Sequence, residues 1–212
     1  MRTQSLRSVR SIAVGAGVFA GATAVRRRML RWGASGDELG LVLPGDDLLP
    51  TPDLTATRSA TIAATPAEVW PWIAQLGQGR GGFYTYDRIE NLVGADIHSA
   101  NKILPECQHP QIGDDIRLAP EVALSVAILE PDRALVLRGG IPIGKMQAPY
   151  DFTWAFILSE RPDRSTRLIV RERYLYAHRW AALLVEPTEV ISFVMTRRMF
   201  QGIKERAERT PF

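Results

Sequence analysis

Hydrophobic and polar positions change period along this chain, and the changes mark its elements. Residues 54–64 (LTATRSATIAA) are rich in β-branched side chains and predict a strand. Alternation along it puts Ala56, Arg58, Ala60 and Ile62 on the inward face. Thr65-Pro66-Ala67-Glu68 then opens a helix: Thr65 caps, Pro66 suits the first helical position, and Glu68 completes a capping box. Val69, Ile73 and Leu76 form its apolar stripe, and Pro71 predicts a kink because it removes an interior donor. GQGRGG (77–82) ends that helix. A second short helix follows at about 85–93, with Tyr86, Ile89, Leu92 and Val93 facing inward and Asp87, Arg88, Glu90 and Asn91 solvated.

From Asp114 the period becomes two. Strands are predicted around Ile116 and Leu118, over 121–129 and over 133–139, followed by a loop at 139–149 with three glycines and two prolines. Residues 150–159 place Tyr150, Phe152, Trp154, Phe156 and Leu158 on one face, and residues 166–176 place Leu168, Val170, Glu172, Tyr174 and Tyr176 on one face. Matching these faces fixes a register in which paired residue numbers sum to 326, so that Trp154 opposes Glu172. Last, 187–209 reads as a long helix with a ridge of Ile191, Met195, Met199 and Ile203, flanked by Val190, Phe193, Val194 and Phe200. Thr196, Arg197, Gln201, Lys204 and Glu208 fall on its other face. One strand, two short helices, a run of antiparallel strands and one long helix predict an α+β architecture, an antiparallel sheet wrapped around the last helix.

That order resembles the helix-grip fold of the START-like superfamily, often labelled polyketide cyclase/dehydrase or SRPBCC, and within it a bacterial subgroup. The resemblance is carried by VWPW (69–72), GQGRGGFYTYDRIENLVG (77–94), IGDDIRLAP (112–120) and RLIVRERY (167–174), and covers about 54–209. It implies a cavity between sheet and long helix that takes a lipid, polyketide or similar hydrophobic molecule. The superfamily shares no catalytic signature, so no catalytic residue and no cofactor are carried over.

Composition and charge alter the picture at the N-terminus. The 212 residues hold 26 Lys+Arg against 23 Asp+Glu, yet the first 31 residues carry seven arginines and no acid. The remainder has a net charge of −4. A folded domain of that sign is a poor nucleic-acid partner. The chain therefore divides into a basic, apolar leader (1–32), a Gly/Pro/Asp-rich linker with at most one helical turn (33–53) and the domain (54–209). Residues 12–25 (IAVGAGVFAGATAV), flanked by arginines, read as a short membrane anchor, a cleaved signal or a soluble tail. Membrane-associated and cytoplasmic locations both stay open, as does oligomeric state.

Candidate chemistry is sparse. Glu172 lies on an otherwise apolar strand face; it is a candidate acid–base or ligand anchor, or else the ion-pair partner of Arg58. Arg80, between glycines, is a candidate anion binder or a helix cap. Tyr84 and its neighbours Tyr86, Asp87, Glu90 and Asn91 would border a cavity mouth. The row Tyr150, Phe152, Trp154, Phe156, Tyr174 and Tyr176 is core or cavity lining, faced by Met195 and Met199 of the helix ridge. Cys107-Gln108-His109 is one C-x-H without a second pair, which supports neither a metal site nor a Cys–His nucleophile. The expected function is binding of a small hydrophobic ligand. The alternatives are a cyclase/dehydratase-type enzyme using Glu172 as acid–base, with Arg80 or Tyr84 polarising the substrate oxygen, and a membrane-proximal protein-interaction module with a filled core. In the last, Arg167, Arg171 and Arg173 on the outer sheet face would meet the partner.

Overall fold

The computed structural model describes residues 21–142 and 147–209. Its elements are α1 (Gly36–Gly40), β1 (Leu54–Ile62), α2 (Pro66–Ala74), α3 (Asp87–Leu92), β2 (Asp115–Ala119), β3 (Val122–Glu130), β4 (Ala134–Gly139), β5 (Tyr150–Glu160), β6 (Thr166–Tyr176) and α4 (Ala182–Ala207). The six strands form one antiparallel sheet in the order β1-β6-β5-β4-β3-β2. The β5–β6 register is the one the face-matching predicts, with Trp154 opposite Glu172 and Phe156 opposite Val170. The sheet's apolar face closes over α2 and the second half of α4, where Ile73, Leu135, Phe156, Leu168, Met199, Phe200 and Ile203 share one core. This is the α+β helix-grip architecture. Thr65 and Glu68 form the expected capping box at α2, with the Glu68 carboxylate accepting from Thr65 N at 2.6 Å.

Three expectations need correction. The long helix begins at Ala182, five residues before Pro187. A proline this near the start removes a single donor from a stretch where Leu183 and Leu184 are exposed, so the helix tolerates it. Thr196, expected outside, is buried, while Val190, Ile191 and Val194 are exposed. The apolar ridge is therefore straddled by polar residues that point inward. On α3 the expected inward set is exposed: Ile89 at 59%, Leu92 at 86% and Val93 at 84%. The polar side chains of this short helix are the ones engaged. Asp87 accepts from Ser99, Glu90 from Thr85 Oγ1 at 2.6 Å, and Asn91 pairs with the Ile97 backbone, so sequence polarity misplaces its faces.

Residues 33–53, expected as a linker, lie on the outer face of the sheet. That face carries an apolar patch of Ala134, Val136, Ala155, Ile157 and Ile169, which Leu43 covers. Gly45 approaches so closely that a Cβ on it would come within 2.7 Å of Val136 Cγ1, and its φ of 90° suits glycine. The arginines expected to greet a partner protein hold this segment instead. Arg167 pairs with Glu38 at 2.6 Å, and Asp46 receives Arg171 at 2.5 Å and Arg173 at 2.9 Å. The Glu38 carboxyl is pulled down to about 2, first by the Arg167 hydrogen bond. Upstream, residues 21–30 are helical and dock beside α4: Leu30 packs with Leu54, Ala56 and Val185, and Arg26 reaches Glu189 through two hydrogen bonds of 2.9 and 2.7 Å. Of the apolar run at 12–25, residues 12–20 lie outside the described residues. Among those described, no helix is long and apolar enough to cross a membrane.

Candidate functional site

A cavity of about 600 Å³ lies between the sheet and the first half of α4. It exists because the ridge of α4 is thin there. Val190 and Val194 turn outward and Ile191 sits at the rim, so the aromatic row of β5 and β6 faces Leu184, Val185, Ile191, Met195, Met199 and small polar side chains across the space. The sheet supplies Tyr150, Phe152, Trp154, Glu172 and Tyr174; α4 supplies Leu184, Ile191, Ser192, Met195, Thr196 and Met199. Phe83, Thr85 and Glu90 close the side nearest α3.

The aromatic wall is internally ordered. Phe152 and Tyr174 lie 4.6 Å apart between ring centroids, and Trp154 and Phe156 lie 4.8 Å apart, both tilted. Burial raises the Tyr150 hydroxyl above its usual value and Tyr174 well above it, so both remain neutral hydrogen-bonding groups at neutral pH. Trp154 Nε1 is buried and has no acceptor among the described residues.

At one end the wall becomes polar. Glu172 and Arg58 form an ion pair at 2.9 Å, with side chains 6% and 1% exposed. Arg58 sits on the inward face of β1, directly beside β6, as the alternation of that strand predicts. The Glu172 carboxylate also accepts from Ser192 Oγ at 3.0 and 2.9 Å, from Thr196 Oγ1 at 3.4 Å and from Tyr174 Oη at 3.3 Å. Arg58 Nη1 additionally donates to Ser192 at 3.0 Å and Thr196 at 3.2 Å, and Arg58 Nε to the Met29 carbonyl at 3.1 Å. A buried pair is tolerated best when its remaining lone pairs and protons are satisfied. The hydroxyls of α4 do this for the Glu172 carboxylate and Arg58 Nη1, while Arg58 Nη2 is buried with no partner among the described residues. Glu90, towards α3, is half-buried; burial raises its carboxyl, opposed by the Thr85 hydroxyl.

Seven of the nine residues expected to contact a ligand line this one cavity: Tyr150, Phe152, Trp154, Glu172, Tyr174, Met195 and Met199. Arg80 and Tyr84 do not. Arg80 donates to the carbonyls of Leu76, Ala74 and Cys107, tying the end of α2 to the turn at Pro105–Cys107. Its glycine neighbours serve that wrap. The Tyr84 hydroxyl donates to the Trp72 carbonyl at 3.1 Å, and the Arg206 guanidinium lies 4.6 Å from its ring centroid. Neither group is free to polarise a substrate oxygen. Ser192, Thr196, Thr188, Phe83 and Leu118 were not singled out by sequence. The one available signal was the i,i+4 pair Ser192/Thr196, polar residues interrupting an otherwise apolar side of the helix. Among the described residues, no group of three or more His, Cys, Asp or Glu side chains is placed to hold a metal ion.

No family model matches the chain, and no curated protein does. Among solved structures it is similar to protein MLL2253 from Mesorhizobium loti, with 13% identity over 75% of this chain and all of that one, at a TM-score of 0.46. It is similar to CalU16 from Micromonospora echinospora, with 16% identity over 73% of this chain and 84% of that one, at 0.37. It is also similar to Ara h 8.0201, with 12% identity over 74% of this chain and 99% of that one, at 0.46.

Proposed function

We propose that the protein holds a small hydrophobic molecule with at least one oxygen in the cavity beneath α4. The cavity itself carries the reading: about 600 Å³ is within the range of sites that enclose small organic ligands, and its walls are mostly aromatic and aliphatic. Empty, such a space leaves its lining without packing partners. Trp154 Nε1 supports an oxygen-bearing ligand, because an unpaired buried donor costs about 1–3 kcal/mol and a ligand acceptor would remove that cost. The hydroxyls of Tyr174, Ser192 and Thr196 around Glu172 form the second polar contact region.

The cyclase/dehydratase alternative is supported less well. Glu172 is engaged by Arg58, Ser192, Thr196 and Tyr174 at once, so taking a proton from a substrate would break the contacts that hold its buried carboxylate. Glu172 acts here as a fixed acceptor and ligand anchor. The interaction-module alternative fits neither the unfilled interior nor the outer arginines, which the chain's own residues 33–53 occupy.

Titration with N-phenyl-1-naphthylamine, an uncharged fluorescent hydrophobe, tests the reading. Saturable enhancement is expected for the native chain, with loss of about tenfold or more in affinity for Met199→Trp, whose added volume occupies the cavity. Equal binding by both proteins would place the probe elsewhere and remove the support.

A further inference from the structure

The outward side of α4 carries an apolar stripe on which none of the described residues packs. Leu183, Pro187, Val190 and Val194 follow one another at helical spacing, and Leu183, Val190 and Val194 are 78%, 55% and 44% exposed. The stripe ends on Arg197, whose guanidinium lies 5.7 Å from the ring centroid of Trp32. Around Trp32 lie Arg27, Arg28 and Arg31, which border a recess there. Among the described residues, none of these four exposed arginines pairs with a carboxylate. Their neighbour Arg26 is satisfied by Glu186 and Glu189, so the helical segment 21–30 turns its paired arginine to α4 and its unpaired ones outward. The cavity opens beside this surface: Leu184 and Ile191, 41% and 64% exposed, belong to both its lining and its rim, and Ile141 extends the apolar rim.

An exposed apolar stripe bordered by unpaired arginines is the pattern of a helix that lies in a membrane interface. The basic residues meet anionic headgroups and the stripe enters the acyl boundary. We propose that this face docks on an anionic bilayer, with Leu183, Val190 and Val194 inserted and Arg27, Arg28, Arg31 and Arg197 on the headgroups. It deepens the cavity reading by naming the ligand's class: with the mouth against the bilayer, the occupant is an amphiphile drawn from the membrane. Charge complementarity distinguishes this occupant from a second copy of the chain, which would set the same arginines against each other.

The test is co-sedimentation of the full chain with vesicles of phosphatidylglycerol and phosphatidylcholine, against vesicles of phosphatidylcholine alone. Binding only to the anionic vesicles is expected. Val190→Asp/Val194→Asp and, separately, Arg27→Gln/Arg28→Gln/Arg31→Gln should each weaken it by about tenfold or more, since one arginine at an anionic surface contributes roughly a fivefold gain. Arg2→Gln/Arg7→Gln/Arg10→Gln should weaken it less. No binding by the native chain, or undiminished binding by the first two variants, would overturn the proposal. So would loss confined to the third. If the aspartate variant unfolds, an environment-sensitive dye on Val194→Cys in a Cys107→Ala background replaces it: a blue shift on adding anionic vesicles supports insertion and an unchanged spectrum refutes it. Met199→Trp fills the cavity without touching this face, so it should still sediment; its sedimentation alongside failed probe binding by the native chain would mark the cavity reading, not the docking face, as wrong.

Discussion

Replacing Arg58 by methionine tests how the polar end of the cavity is held. Arg58 Nη1 lies 2.9 Å from Glu172, and both side chains are almost wholly removed from water. Methionine fills much of the arginine's volume but leaves a buried carboxylate with three hydroxyl donors and no cation. Removing one partner of such a pair costs about 3–5 kcal/mol, and in a domain of this size that lowers the melting midpoint by roughly 6–20 °C. Loss of the Arg58 Nε bond to the Met29 carbonyl adds less, because it is one bond to a half-buried residue. The double variant Arg58→Met/Glu172→Leu removes the stranded charge. Ser192 and Thr196 can then turn to carbonyls of their own helix, so at least about 2 kcal/mol should be regained. The assay is urea unfolding of the native chain, both single variants and the double variant, analysed as a double-mutant cycle. A cost below about 1 kcal/mol for Arg58→Met, or a double variant as unstable as the two singles added, would refute the buried pair as the element that holds this end.

Other consequences are simpler to state. Glu38 has its carboxyl held at about 2 by Arg167. A depressed folded value stabilises the fold above the unfolded carboxyl range and loses that contribution as pH falls towards 2. Glu38→Gln should therefore cost about 1–2 kcal/mol at pH 7 after solvent screening, and the difference from the native chain should vanish near pH 2 in acid-unfolding curves. Gly202 of α4 faces the Tyr84 backbone so closely that a Cβ would collide with it. Gly202→Ala should destabilise by about 1–3 kcal/mol in thermal melts even though alanine favours helix, and a stabilised variant would contradict the packing of α4 on this loop. Arg80→Ala should lose about 1–3 kcal/mol of stability with unchanged probe affinity, because its three acceptors are carbonyls of the scaffold and not the cavity.

The sheet and the helix order were legible because period-two patterns are nearly complete in β5 and β6, and the Trp154–Glu172 pairing followed from them. The inward placement of Arg58 was legible for the same reason. What was not legible depends on contacts between segments distant in sequence. The outer face of the sheet carries Val136, Ala155, Ile157 and Ile169, an apolar set that needed a cover, and residues 33–53 provide it without any periodic pattern of their own. Arg80 reads as an anion binder or as a cap of a helix C-terminus. The cap is what its bonds to the Ala74 and Leu76 carbonyls at the end of α2 make, whereas its reach to the Cys107 carbonyl was not legible. The faces of α3 and the first half of α4 were misassigned because both border open space. There the usual link between apolar character and burial breaks down: Ile89, Leu92, Val190 and Val194 are exposed, while Thr196 and Glu172 are buried. These departures cluster at the cavity and its mouth, where function and local pattern conflict.

The most direct measurement is native mass spectrometry of the chain, purified without detergent and compared with Met199→Trp. A cavity of about 600 Å³ built for an amphiphile predicts an adduct of small-molecule mass on the native chain, released on denaturation and absent from the filled variant. A native chain that carries no such adduct, and acquires none after incubation with lipid extract, would contradict the cavity as a ligand site.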